Sequence, residues 1–123
     1  MSSQPDVTLG NRFIDALVAK DFDALQACLH AEVAFRALTP PGVREAASAT
    51  EVRAYFQRWF GDCTEIVPIR VESIPIGERL HIAYRLDVVE EGKAYTVEQQ
   101  AYCTLKGEAI AGLDLLCSGF ETR

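Results

Sequence analysis

The sequence predicts an α+β domain, and three observations carry that expectation. Apolar residues recur at three- and four-residue steps in much of the first half of the chain, and they alternate with polar ones in the second half. Breaks near Gly77, Gly92 and Gly107 divide that second half into four stretches of strand length. At 123 residues, 49% hydrophobic and 24% charged, the chain suits one domain with one core, whose folding removes roughly two-thirds of the unfolded surface from water. A single domain over residues 1–123 is expected, with residues 1–6 as a disordered tail.

From Thr8 to Lys20, Leu9, Phe13, Ile14, Leu17 and Val18 fall on one face of a first helix. Asp21 is placed to cap a second, shorter helix carrying Phe22, Leu25, Cys28 and Leu29, so two helices meet at Lys20-Asp21. Alternation from Glu32 to Leu38 predicts a strand with Val33, Phe35 and Ala37 on one side. Thr39-Pro40-Pro41-Gly42 ends it, because proline lacks an amide donor, and a loop is expected to about Ala47. Ser48-Ala49-Thr50-Glu51 reads as a capping box opening a third helix. Val52, Tyr55, Phe56, Trp59 and Phe60 form its buried face, and Gly61 offers a left-handed cap.

The four later stretches read as an antiparallel meander. A two-residue Glu91-Gly92 turn pairs Glu90 with Lys93 and, counting back, Arg85 with Glu98, Tyr84 with Gln99, and His81 with Tyr102. Leu80, Ile82, Tyr84, Leu86 and Val88 then share an inward face with Val97, Gln99, Ala101 and Cys103. The last strand has two registers. A two-residue Gly107-Glu108 turn turns Asp114 inward, whereas a three-residue loop sends it outward and brings in Leu113, Leu115 and Cys117; the apolar count favours the second.

Charge and cysteine usage narrow the function classes. Twelve Lys and Arg against eighteen Asp and Glu give a formal charge of -6, with the positive residues scattered, which excludes a nucleic-acid partner as an expectation. No apolar run reaches membrane-spanning length and Met1–Asp6 lacks a signal-peptide pattern, so no membrane partner and a cytoplasmic location are expected. Cys28, Cys63, Cys103 and Cys117 are widely spaced with only His30 and His81 to join them, so reduced, buried thiols are expected, with no metal site and no cofactor.

The order of elements resembles the nuclear transport factor 2-like superfamily, in its SnoaL-like and ketosteroid isomerase-like small domains. The likeness rests on the run from Phe13 to Leu25 with its Lys20-Asp21 joint, on Val33-Ala34-Phe35, and on Leu115-Leu116-Cys117-Ser118-Gly119-Phe120. It implies a cone-shaped curved antiparallel sheet wrapped around three helices, a cystatin-like α+β barrel. It also implies a pocket inside the cone and a homodimer through the outer sheet face. The isomerase's catalytic roles map onto Ala37, Phe13, and Ala101 or Gln100, and those of limonene epoxide hydrolase onto Glu98, Gln100 and Leu115. None supplies the needed group, so the catalytic residues stay unassigned and enzymatic activity is left open.

The expected ligand-binding set is Phe13, Leu17, Phe35, Ala37, Tyr55, Trp59, Tyr84 and Gln99, lining a mostly apolar cavity for a small hydrophobic molecule. Tyr84 and Gln99 are its polar members, and either they bond each other or they await a polar ligand. One alternative is an isomerase, dehydratase or polyketide cyclase using Asp114 or Tyr84. Another is a non-catalytic dimeric accessory or partner-binding domain. His81 is expected on the outer face and His30 beside a helix C-terminus. Arg85, Glu98, Gln100 and Tyr102, poor in lysine, make the expected dimer surface.

Overall fold

The computed structural model describes residues 7–123, and the expected tail over residues 1–6 lies outside them. The elements in order are α1 (Val7–Val18), α2 (Phe22–Ala27), β1 (Leu29–Thr39), β2 (Gly42–Ala46), α3 (Ala49–Phe60), β3 (Cys63–Ile76), β4 (Arg79–Glu90), β5 (Lys93–Lys106), β6 (Ala109–Cys117) and β7 (Glu121–Thr122). The strands form one curved, unclosed sheet in the order β2-β1-β6-β5-β4-β3, with β7 pairing β5. Every pairing is antiparallel except β1 with β6, which run parallel, so the expected antiparallel sheet is in fact mixed. A parallel neighbour needs a long crossover. Here the chain between β1 and β6 supplies α3 and the whole meander.

The α1–α2 joint shows how a short sequence signal sets tertiary geometry. Asp21 N–H bonds Ala16 O at 2.8 Å and Lys20 N–H bonds Leu17 O at 3.0 Å, closing α1 with Lys20 at a left-handed φ of 55°. Glycine would adopt that angle without strain. Lysine adds side-chain contacts instead: its Nζ donates to Gly61 O at 3.1 Å and to Cys63 O at 2.5 Å, tying this joint to the α3–β3 connection. Asp21 caps α2 through Ala24 N–H at 3.0 Å. The left-handed end expected at Gly61 is absent, since Gly61 stays helical at φ -60° while Lys20 reaches across to the same turn.

The capping box forms in part. Ser48 Oγ accepts from Glu51 N–H at 3.2 Å, and Glu51 takes the Ser48 hydroxyl at 3.1 Å rather than the backbone amide of Ser48. Val52, Phe56 and Phe60 of α3 are fully buried, and Tyr55 and Trp59 are half-buried. The segment expected as a loop to Ala47 contains a strand instead. After the Pro40–Pro41 turn, β2 runs back along β1 with Leu38 opposite Val43 and Ala37 opposite Arg44, because the two prolines need only the turn. His30, expected beside a helix end, sits at the start of β1 and accepts from Glu32 N–H at 3.1 Å.

The β4–β5 register is the expected one, with Arg85 opposite Glu98, Tyr84 opposite Gln99 and His81 opposite Tyr102. Glu91 and Gly92 turn the chain at φ of 50° and 77°, as a type I′ hairpin requires. On β6, Leu113, Leu115 and Cys117 face inward and Asp114 is exposed opposite Tyr102. The device differs from the expected three-residue loop. Lys106 pairs with Ala109 across a two-residue turn, and a bulge opposite Thr104–Leu105 inserts the extra residue that flips the strand. Asp114 is thus excluded as the cavity acid of an isomerase-like or cyclase-like site.

Candidate functional site

Two of the concavities on the described surface bear on a binding site. One, of about 530 Å³, lies between α1 and α2 under Arg12, Asp15 and Asp21, floored by alanines and Cys28. It sits outside the layer between helices and sheet, and it offers no aromatic wall. The other, of about 350 Å³, falls near the lower end of the roughly 300–1,000 Å³ range of small-molecule sites. Thr39, Pro40 and Pro41 form one side, Arg44 and Trp59 another, and Cys117, Gly119, Phe120 and Glu121 the rest.

Local sequence explains this shape. Thr39 Oγ1 donates to Gly42 O at 2.7 Å and fastens the Pro40–Pro41 turn. Gly119 follows β6 at φ 83°, and a Cβ there would lie 2.8 Å from Pro40 Cγ, so only glycine lets the C-terminal segment pass the turn so closely. Phe120 is held by Phe60 and Tyr95, at ring-centroid distances of 5.5 and 6.3 Å. Behind it, Arg123 N–H bonds Ala94 O at 3.0 Å and anchors the segment on β5. Trp59 is fixed by Phe35, Tyr55 and Phe56, with centroids 6.5, 5.7 and 5.3 Å away.

A chain of polar contacts leads inward from the pocket. Cys117 Sγ accepts from Gly119 N–H and from Gln99 Nε2, both at 3.3 Å, and Gln99 Oε1 accepts the Tyr84 hydroxyl. Gln99 and Tyr84 are buried, so each needs the other's bond. Burial raises the Tyr84 pKa well above that of an ordinary phenol, and nearby Cys117 and Cys103 add to the effect. Tyr84 is therefore a neutral hydroxyl at physiological pH whose proton is already donated to Gln99. Cys103 is likewise kept as a thiol, its pKa pushed up to about 12 by burial and then by Asp114.

The eight expected lining residues divide accordingly. Phe13, Leu17, Phe35, Ala37, Tyr84 and Gln99 are at most 3% exposed and pack within the core. Tyr55 stacks between Phe35 and Trp59, and Trp59 borders the 350 Å³ pocket. The positions matching the isomerase's catalytic roles carry no acid or base: Phe13, Ala37 and Ala101 are buried, and Ala37 and Ala101 share one row across the sheet with Leu115, the position matching the epoxide hydrolase's helper acid. Reading β2 as loop hid Arg44, whose inward direction follows once Val43, Arg44 and Glu45 are read as alternating.

On the outer face, Arg85 pairs with Glu98 at 3.1 Å, His81 lies 3.3 Å from Gln100, and Tyr102 is 45% exposed. Among the described residues, no three His, Cys, Asp or Glu gather to hold a metal ion, and no helix is long and apolar enough to cross a membrane.

The model of the SnoaL-like domain matches residues 11–113, which include all three helices in whole or in large part and most of the sheet. The chain belongs to this family. The SnoaL-like domain superposes on a Catenulispora acidiphila protein of ketosteroid isomerase-like fold, in complex with trimethylamine, with a TM-score of 0.74 and 13% identity, covering 95% of this chain and 88% of that one. A candidate polyketide cyclase from Xanthomonas campestris pv. campestris gives 0.73 and 16%, covering 89% and 87%. An LEH-like epoxide hydrolase from M. tuberculosis gives 0.67 and 13%, covering 91% and 81%. These likenesses establish the nuclear transport factor 2-like fold of the SnoaL-like domain. No curated protein matches its sequence.

Proposed function

We propose that this SnoaL-like domain binds a small, largely apolar molecule in the concavity between Trp59, Phe120 and the Pro40–Pro41 turn. The observation that carries the reading is an aromatic and proline-walled pocket of about 350 Å³ at the edge of a core that buries six of the eight expected lining residues. Ring-shaped ligands suit such walls, because flat apolar surfaces are covered with little loss of side-chain freedom. The description of one structural neighbour as a candidate polyketide cyclase supports a small-molecule role of the same kind. A reducing, cytoplasmic setting fits the four buried, unpaired thiols.

Trp59 is the sole tryptophan, so its emission reports on this pocket alone. Titration with neutral ring compounds such as phenol and 2-tetralone is expected to change that emission saturably. Phe120→Ala should weaken the binding roughly ten-fold through lost apolar contact. Absence of saturable change with every ring compound, or unchanged affinity in Phe120→Ala, would refute the reading.

A second copy of the chain is the partner we propose for the outer sheet face. Val43, Leu38 and Leu116 are neighbours across β2, β1 and β6 and are 45%, 52% and 46% exposed, with Tyr102 beyond them. Arg70, Arg85, Glu72 and Glu98 bring both charge signs to that face, as a two-fold, self-complementary contact needs. Sedimentation at micromolar concentration should give a dimer that Leu116→Lys separates; a monomeric wild-type chain would overturn this assignment.

A further inference from the structure

Arg44 stands on the inward side of the sheet, in a row that is apolar from β1 to β4. Its neighbours across β1, β6, β5 and β4 are Ala37, Leu115, Ala101 and Ile82, all buried. Arg44 as a whole is half-buried and lines the pocket, while its guanidinium makes one solvent-exposed bond, from Nη1 to Val43 O at 3.3 Å. Among the described residues it has no acidic partner within ion-pair distance, although Arg53, Arg70, Arg85 and Arg123 each have one. An arginine presents five donors in a planar fork, so most of the hydrogen-bonding capacity of Arg44 is left for something in the pocket.

The opposing groups limit what that something is. Thr39 Oγ1 donates to the turn, and Cys117, whose Sγ accepts two N–H groups, keeps only a weak S–H donor, so Arg44 is the strong donor the lining offers an anion. Glu121 adds a negative charge to the lining. A lining that holds one arginine and one carboxylate suits a planar monoanion and disfavours a doubly charged phosphate.

Resting on the small-molecule reading above, we infer that the natural ligand is a ring-bearing carboxylic acid, its ring against Trp59 and Phe120 and its carboxylate held by Arg44. Ligand orientation is then fixed at one end by charge and at the other by aromatic contact.

The test uses benzoate and its neutral isostere benzamide, followed through the indole N–H resonance of Trp59 in a nitrogen-15 correlation spectrum. Benzoate is expected to shift that peak saturably and to bind roughly ten-fold or more tighter than benzamide, with the preference shrinking as salt is added. Arg44→Gln should bring the two probes to equal affinity, and Arg44→Lys should restore part of the difference. Equal binding of the two by the wild-type chain, or a preference that survives Arg44→Gln, would overturn the carboxylate assignment while leaving the apolar pocket standing. Failure of both probes and of the neutral ring compounds to move the peak would remove the pocket reading as well.

Discussion

Phe56→Ala is expected to cost about 3–5 kcal/mol, a large part of the roughly 5–15 kcal/mol that holds a domain of this size together. Phe56 is fully buried and meets four other aromatic rings: Phe13 edge-on at 5.5 Å, Trp59 edge-on at 5.3 Å, and Phe35 and Phe60 at 6.3 Å. Those partners come from α1, β1 and α3, so the cavity left by truncation opens where helix and sheet layers meet and no single side chain can refill it. Phe56→Leu keeps most of the volume and should cost much less, about 1–2 kcal/mol. Urea denaturation with matched slopes distinguishes them. A loss under about 1 kcal/mol for the alanine variant would mean that the cluster relaxes freely. In that case Trp59, which leans on Phe56, would not be a rigid wall of the pocket.

The cluster was legible because its signal is local: Val52, Phe56 and Phe60 recur at four-residue steps behind a capping Ser48. The β4–β5 register was legible for a related reason, since a two-residue turn at Glu91-Gly92 leaves one way to count back. Where the structure departs from the sequence reading, the deciding contact is distant. Whether β2 forms depends on β1 being available to pair, which five residues after a Pro-Pro turn do not announce. The facing of Asp114 was legible from apolar count, but the bulge that produces it was not, because one extra residue can be absorbed in a loop or within a strand at similar cost. The lining was the hardest part. Periodicity tells which side chains point inward, and it is silent on where inward side chains stop filling the space. Phe13, Leu17 and Ala37 are fully buried in the core, while Gly119 and the prolines border the room left open at the edge.

The location of that room bears on the enzyme alternative. A base or acid must touch the reacting atoms to serve. With Asp114 on the outer surface, the remaining titratable group proposed for chemistry is Tyr84, which lies behind Gln99 and Cys117 as seen from the pocket. Its role is decided by whether its hydroxyl is committed to the fold.

A double-mutant cycle on Tyr84 and Gln99 measures that commitment. Tyr84→Phe removes the donor and leaves Gln99 Oε1 buried without its partner, at an expected cost of about 1–3 kcal/mol. Gln99→Leu removes the acceptor, strands the Tyr84 hydroxyl and should cost a similar amount. With both changed, no polar atom of the pair is left to satisfy. The double variant should therefore be destabilised by less than the sum of the singles, with a coupling of about 1–2 kcal/mol. Cys117 keeps the Gly119 N–H in every variant, so the pocket wall is preserved. Ring-compound affinity, read from Trp59, should thus be the same in Tyr84→Phe as in the wild type. Additive losses would show that the two side chains do not depend on each other. A loss of ligand affinity in Tyr84→Phe would mean that its hydroxyl reaches the ligand, and the chemistry assigned to an isomerase or cyclase would regain its one available donor.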